Sequence, residues 1–429
     1  MPRDGQASVL AKNSLWLTLV VAANYLFGFL LVPYLTRVLS QDVFGFVGVG
    51  QAVAIWLQLV VDFGFVVSGT ASIARAAKRG DALSPVFSQI MWGKVMLALA
   101  SCVMFAALVD LVPGLKAHPG AFISFALAGA LAGLTPDFAY RGIEQMAPIA
   151  ARVAATKLLT FLGVLLCVRS DGDWILVPLF TIVGNLAGVV WMVLDLRRRG
   201  SQWVGVPTAG VWRALTESSL FFWSRIAANL YTSANTFVLG VAPGVSAVSV
   251  AQFIAADKLG TAAASITSPV ADSLYPRMMH SPRLSTVGRV LGATMPVLVL
   301  CCAGVWRWAS ELCAIVFGPS YSNAGQYVRV IVLIVVVKYV GVILGFPALS
   351  PIGLSRLVNV SVIIGALVQL LQIGGMIVIH GGVTAIGVCW ASLFTQVAIL
   401  CIKGGGLLLH RDRYLAMQES GDDGRRVVQ

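Results

Sequence analysis

Long apolar runs separated by short polar segments fill the chain. A helix that crosses a bilayer needs about 20 mainly apolar residues, and twelve runs reach that length: 15–36, 44–68, 89–111, 121–140, 149–168, 174–194, 218–240, 247–271, 290–316, 327–349, 357–379 and 383–409. Residues 69–88 are too polar to span, so we expect an interfacial or loop segment there. The pattern predicts an all-α polytopic membrane protein with about 12 transmembrane helices. Only residues 380–382 separate the last two spans, which leaves a helical hairpin of unusual depth as an alternative.

Composition supports this class. Of 429 residues, 58% are hydrophobic and 11% are charged, whereas a soluble domain carries about 25% charged residues. The net charge of +12 would also suit nucleic acid, but the cations flank apolar runs, which favours a membrane surface over nucleic acid. The seven cysteines have no paired spacing and the four histidines are isolated, so we expect buried thiols and no metal or cofactor.

The lysines and arginines predict the orientation. Twelve spans put alternate loops on opposite sides of the membrane, and one set of loops and tails holds 22 cations, with Lys94 and Lys403 counted among them. The opposite loops hold four. Because cytoplasmic loops carry the excess of lysine and arginine, we expect both termini in the cytoplasm.

The chain contains a weak internal repeat. The pattern S-L…A-A-N of residues 14–24 recurs in residues 219–229, at a constant offset of 205 residues. Six spans in each half start both halves on the same side, which predicts parallel repeats about an axis along the membrane normal. We therefore predict an N-terminal six-helix bundle (1–196), a basic cytoplasmic linker (197–217), a C-terminal six-helix bundle (218–410) and a disordered cytoplasmic tail (411–429).

A polar stripe runs along the seventh span. Arg225, Asn229, Thr232 and Thr236 recur at i, i+4, i+7 and i+11, so a helix would place them on one face. A cation that faces lipid is costly, so we expect this face to border a water-filled cavity or a bundle interior. The repeat places Val20 at the position equivalent to Arg225 in the first half.

Few other charges lie inside the predicted spans. The sequence suggests four intramembrane cations, all in the second half: Arg225, Lys258, Arg329 and Lys338. The acids are Asp62 and Asp257. Four cations against two acids favour a site for an anionic head group, although salt bridges between helices, and snorkelling of Arg329, are the alternatives. For Asp62 we expect pairing with Arg225, and proton or sodium coupling at Asp62 or Asp257 stays open.

Sequence features do not favour an enzyme. The chain has no G-x-x-x-x-G-K-[ST] motif, so ATP hydrolysis by a P-loop is not expected. The outer loops, such as 112–120 and 317–326, are too short to hold the catalytic groups of a membrane polymerase or ligase.

Six segments resemble, in order, the Wzx-type oligosaccharide flippases of the polysaccharide biosynthesis family. They are N-x10-N-Y-L-F-G-F-L-L-V-P-Y-L-T-R-V-L-S (13–40), VDFGFVVSGT (61–70), YRGIEQM (140–146), VAQFIAADKL (250–259), SLYPRM (273–278) and VFGPSYSNAGQYVRVI (316–331). The sequence departs from the family at Arg141, where glutamine is usual before the glycine of this loop. This family is part of the multidrug/oligosaccharidyl-lipid/polysaccharide exporter superfamily.

The resemblance implies two six-helix bundles in a V around a central cavity. It also implies a substrate, an undecaprenyl-pyrophosphate-linked oligosaccharide repeat unit. Alternating access would move it from the cytoplasmic to the periplasmic leaflet of the bacterial inner membrane, for O-antigen, capsule or exopolysaccharide synthesis. Membrane lipids are expected partners, and a polysaccharide polymerase and a chain-length regulator are further candidates.

On this reading each polar residue has a role. Arg225, Lys258 and Lys338 would attract the pyrophosphate-sugar head group, and sugar hydroxyls would hydrogen-bond to Asn24, Asn229, Thr232 and Thr236. A multidrug/cation antiporter of the same superfamily is the nearest alternative, but it predicts a cavity dominated by acids. A non-transporting scaffold of a polysaccharide assembly complex is the third, and it predicts no dependence on the intramembrane charges.

Overall fold

The computed structural model of the chain describes residues 3–230 and 234–414. The first part of the chain contains α1 (Arg3–Val38), α2 (Gln41–Asp62), α3 (Phe65–Arg79), α4 (Leu83–Leu108), α5 (Pro119–Gly133), α6 (Asp137–Gly142), α7 (Ala147–Cys167) and α8 (Leu176–Arg198). The remainder contains α9 (Thr208–Leu230), α10 (Ala234–Val241), α11 (Ala247–His280), α12 (Leu284–Arg307), α13 (Ala309–Phe317), α14 (Gly325–Ile343), α15 (Phe346–Leu349), α16 (Ser355–His380) and α17 (Ala385–Leu409).

The described residues contain ten helical segments long and apolar enough to cross a membrane. They correspond to ten of the twelve predicted spans, and the all-α class is confirmed. The two others, 218–240 and 247–271, are helical in their described parts but are not among these ten, and residues 231–233 of the first lie outside the described residues. These two carry the polar stripe and the Asp257-Lys258 pair, whose polar side chains lower the mean hydropathy of both segments.

The structure resolves two details of the predicted spans. The segment 69–88, expected as interface or loop, contains most of the regular helix α3 (Phe65–Arg79) and the start of α4, and α3 follows α2 after a break at Phe63 and Gly64. The last two spans are separate helices, because Gly381 takes a left-handed conformation (φ 69°) that ends α16. Glycine reaches this conformation without the steric cost that a Cβ imposes.

Contacts between Cα atoms divide the chain into two compact units. Unit 1 comprises residues 1–226 and 236–243, and unit 2 comprises residues 227–235 and 244–429. In unit 1, α2 packs against α5 and α4, while α5 and α7 pack against α8. A Cβ added to Gly133 would lie 2.6 Å from the Cβ of Val61, so this glycine lets the end of α5 approach the end of α2.

In unit 2, α14 packs against α11, α12 and α17. The apolar core at one end of this unit includes Met278, Tyr339, Leu349 and Tyr414. The Tyr414 hydroxyl donates a hydrogen bond to the carbonyl of Ala348. Burial raises the pKa of Tyr414 to about 12, so the hydroxyl keeps its proton at neutral pH. The chain after α17 is thus attached to unit 2 as far as residue 414.

Within the predicted linker 197–217, residues 201–207 form an extended strap along α4, whereas its two ends belong to α8 and α9. The Ser84 hydroxyl accepts from the amide of Gln202 at 2.9 Å, and the Ser88 hydroxyl accepts from the amide of Val204 at 2.9 Å. One turn further along, Trp92 Nε1 donates to the carbonyl of Val204 at 3.2 Å. The serine contacts lie four residues apart on α4 and two residues apart on the strap. These spacings match because four helical residues rise about 6 Å and two extended residues rise about 6.6 Å.

Replacing Ser88 by alanine is expected to loosen this strap. Its hydroxyl is fully buried and also donates to the Gln202 carbonyl at 3.3 Å, so the change removes two contacts and costs about 1 kcal/mol. Hydrogen exchange of the Val204 amide should accelerate. Ser124→Ala is the control, since its hydroxyl bonds only to Gly120 within its own helix. Unchanged exchange at Val204 in Ser88→Ala would show that the strap is held by other contacts.

Candidate functional site

A helix break inside unit 1 presents Asp62. Helix α2 ends at Asp62, then Phe63 and Gly64 both take left-handed conformations (φ 42° and 78°), and α3 begins at Phe65. A Cβ on Gly64 would lie 2.9 Å from the amide nitrogen of Phe222, so glycine permits α9 to approach the break. The Phe63 ring stacks on Phe222 with centroids 4.3 Å apart. The motif VDFGF therefore places a carboxylate where α9 passes close to the backbone.

Lys94, on α4, holds one side of this carboxylate. Its ammonium nitrogen lies 3.2 Å from Asp62 Oδ1, 2.9 Å from the Gly133 carbonyl and 3.0 Å from the Thr135 carbonyl. These two carbonyls lie at the C-terminal end of α5, where helical carbonyls lack partners and favour a cation. Three acceptors use all three protons of the ammonium group, and Lys94 is only 1% exposed. It is a structural cation with no donor left for a ligand.

Arg225 holds the other side. Its guanidinium donates to Asp62 Oδ2, so the pairing expected for Asp62 is confirmed. The Arg225 side chain remains 39% exposed, whereas that of Asp62 is 9% exposed. A guanidinium has five N–H donors, and this partial exposure gives an anion access to it. We call Lys94, Asp62 and Arg225 the first cation group; two cations and one carboxylate leave it a net charge of +1.

Unit 2 contains a second group of the same charge. Asp257 interacts electrostatically with both Lys258, its neighbour on α11, and Lys338 on α14, which packs against α11. Both lysine side chains are partly buried. We call Asp257, Lys258 and Lys338 the second cation group. Arg329 lies apart from it, with its guanidinium carbon 6.0 Å from the centre of the Trp306 ring.

The expectation that every intramembrane cation lies in the second half was wrong. Lys94 was counted with the cytoplasmic loops, yet it is buried in unit 1. Lys403 was counted in the same way, and it is 8% exposed on α17, where its ammonium donates to the Gly341 carbonyl at 3.0 Å. Lys94 lies inside the predicted span 89–111 and Lys403 inside 383–409. Their positions in the sequence therefore already indicate intramembrane cations. Each lysine meets a carbonyl near the end of a neighbouring helix, α5 or α14.

A polar network that the sequence did not suggest lies in unit 2. Gln369 is fully buried; it donates to Asn235 Oδ1 at 3.0 Å and accepts from the Thr395 hydroxyl at 2.7 Å. The Asn235 amide donates to the Ser392 hydroxyl at 2.8 Å. These side chains come from α10, α16 and α17, and a buried network with satisfied partners fixes the packing of its helices. Only proximity in the folded chain reveals it.

The remaining predicted site residues lie apart. Asn24 is exposed on α1, and its amide donates to the Val20 carbonyl of the same helix at 3.0 Å. Asn229 is partly buried near the end of α9, and Thr236 is partly buried on α10. Thr232 lies outside the described residues. Contacts with sugar hydroxyls at these positions, and ion coupling at Asp62 and Asp257, stay predictions.

Residues 10–281 match the family described as “Polysaccharide biosynthesis protein”. A protein of Shigella dysenteriae named “Putative O-antigen transporter” is 29% identical over 402 residues, which are 91% of this chain and 98% of that protein. A protein of the same name from Escherichia coli (strain K12) is 28% identical over 339 residues, 76% of this chain and 79% of the relative.

Solved structures share the fold at low sequence identity. A lipid II flippase, MurJ, in an inward closed conformation superposes with a TM-score of 0.70 at 9% identity, covering 94% of this chain and 89% of MurJ. An inward-facing multidrug resistance transporter of the MATE family superposes with a TM-score of 0.63 at 13% identity, covering 94% and 95%. With the matched family spanning more than half of the residues, this multi-pass membrane chain belongs to the polysaccharide biosynthesis protein family, as its motifs indicated.

Proposed function

We propose that this chain is a flippase for lipid-linked oligosaccharide. In its fullest form, the proposal is that alternating access moves an undecaprenyl-pyrophosphate-linked repeat unit from the cytoplasmic to the periplasmic leaflet of a bacterial inner membrane. Two relatives named “Putative O-antigen transporter” support lipid-linked oligosaccharide as the substrate class. The fold shared with a lipid II flippase and a multidrug transporter is compatible with transport.

The observation that carries the proposal is the charge of the two cation groups. Each group has two cations for one carboxylate, and all six side chains belong to predicted spans. Burying charge in a membrane protein is costly unless the charge is paired or used. A net positive charge in both units is suited to a pyrophosphate, whereas a transporter of cationic drugs would need an acidic excess.

The residues of the two groups then have separate roles. Arg225, Lys258 and Lys338 would meet the pyrophosphate-sugar head group, while Lys94 holds Asp62 and the end of α5. Each oxygen of Asp62 accepts from a cation, so a coupling proton or sodium ion would have to displace one of them. We place both termini in the cytoplasm, because the loop charges still favour that side after Lys94 and Lys403 are removed from the count.

The leaflet distribution of lipid-linked oligosaccharide tests this function. A sugar-modifying enzyme confined to the periplasm reports which molecules have crossed. In cells depleted of the chain, we expect the lipid-linked pool to stay unmodified, and restoring the chain should restore modification.

The variant Arg225→Gln serves as a matched comparison. It lacks the exposed cation, and it is compared with the wild-type chain under conditions in which it reaches the membrane. If the depleted cells still expose the whole pool to the periplasmic enzyme, another protein carries out translocation. The scaffold or drug-extrusion alternatives would then account better for the chain.

A further inference from the structure

A cavity of about 350 Å³ opens within unit 1, separate from the first cation group. Its walls come from α3, α4 and α9, and they carry three arginines, Arg75, Arg79 and Arg213. Two acids, Asp81 and Glu217, line it as well. Three cations against two carboxylates leave the lining with a net charge of +1. The volume is at the low end for ligand pockets, which are about 300–1,000 Å³, so the cavity suits a small head group rather than a whole glycolipid.

The arginines of this cavity do not pair with its acids. Among the described residues, the ion pairs within 4 Å join other side chains. Arg75 instead donates to Ala71 O and Ser72 Oγ on its own helix, at 3.3 and 3.2 Å. All three arginines are exposed to solvent. Guanidinium groups that converge on one cavity without carboxylate partners are well suited to phosphate, which they can bind in a bidentate way.

The surroundings of the cavity indicate a membrane–water interface. Trp212, beside Arg213, is 68% exposed, and Trp92 and Trp203 are 44% and 38% exposed on α4 and the strap. Exposed tryptophans of membrane proteins concentrate at the level of the lipid head groups. Basic pockets between helices at that level bind anionic head groups.

We propose that this cavity binds a phosphoryl anion through Arg75, Arg79 and Arg213. The phosphoryl group belongs either to an anionic phospholipid or to a soluble phosphate compound. This site is distinct from Arg225, which lies 12 residues further along α9 than Arg213, and it does not depend on the proposed transport function. Ser68 and Ser218 also line the cavity, but their hydroxyls bond to each other at 2.7 Å and to the carbonyls of Gly64 and Ala214, so the donors for an anion come from the arginines.

Two binding measurements on the purified full-length chain test the site. Sodium pyrophosphate is titrated calorimetrically in neutral detergent, and native mass spectrometry counts phosphatidylglycerol molecules retained from nanodiscs. The test variant is Arg75→Gln/Arg79→Gln/Arg213→Gln. The control variant, Lys78→Gln/Arg197→Gln/Arg198→Gln, removes three exposed cations that do not line the cavity. The single variant Arg213→Gln, at an exposed position, covers the case in which the triple variant does not fold.

We expect the test variant to lose at least tenfold in affinity for one of the two probes, with less than a twofold change in the control. A loss for pyrophosphate identifies a soluble phosphate, and a loss confined to phosphatidylglycerol identifies a lipid head group. Equal effects in the two triple variants, or no effect in either, would overturn the proposal. If the triple variant does not fold, the same criterion applies to Arg213→Gln against Lys78→Gln.

Discussion

Asp62→Asn is expected to destabilise the chain by about 3 kcal/mol or more, because removing one partner of a buried ion pair leaves an uncompensated charge. Here the change leaves two cations, Lys94 and Arg225, without their shared carboxylate. Lys94 is affected most, since it is only 1% exposed. Thermal unfolding of the purified chain in nanodiscs, together with its level in the membrane, measures the effect.

A compensating variant separates charge from shape. Asp62→Asn/Lys94→Gln removes the carboxylate and the buried cation together, so we expect it to be more stable than Asp62→Asn alone despite the second substitution. Contacting residues give such non-additive effects in double-mutant cycles. An Asp62→Asn chain that unfolds at the wild-type temperature would contradict the buried ion group.

Arg225→Gln is expected to have the opposite profile, a small effect on stability and a large one on export. Without Arg225, Lys94 and Asp62 remain a balanced pair, so the fold keeps its buried partners. A hydrogen bond to a charged group is worth about 1.5–3 kcal/mol, so losing one contact to an anionic head group should slow export about tenfold to a hundredfold. Surface polysaccharide at matched membrane levels of protein is the readout.

Two further variants make this result specific. Arg225→Lys keeps the charge but loses the planar fork of donors, so export should recover only in part. Arg329→Gln removes a cation that packs over Trp306 and lies outside both cation groups; its export should match wild type. Normal export by Arg225→Glu at a normal protein level would remove Arg225 from the proposed site.

The contrast between Lys94 and Arg225 shows why identical charges need different interpretations. Both contact the carboxylate of Asp62, but Lys94 also contacts two carbonyls at the end of α5, whereas the Arg225 side chain is 39% exposed. The difference arises from the end of α5, which approaches Asp62 because Gly133 has no side chain. A count of charges along the chain cannot separate these environments, since the residues in contact are 32 to 163 positions apart.

Length and composition of the apolar runs, read from the sequence alone, determined the membrane class and ten of the spans, because a bilayer imposes the same length and hydropathy on every crossing helix. The family was indicated by the six motifs, and the match over residues 10–281 confirms it. The sequence also paired Asp62 with Arg225 from their similar depth. Only the tertiary structure decided that Lys94 and Lys403 are buried, that the linker is strapped to α4, and that Asn235, Gln369 and Thr395 form one network. Each of these depends on which helices touch, and a buried polar group is stable only where distant residues supply its hydrogen-bond partners.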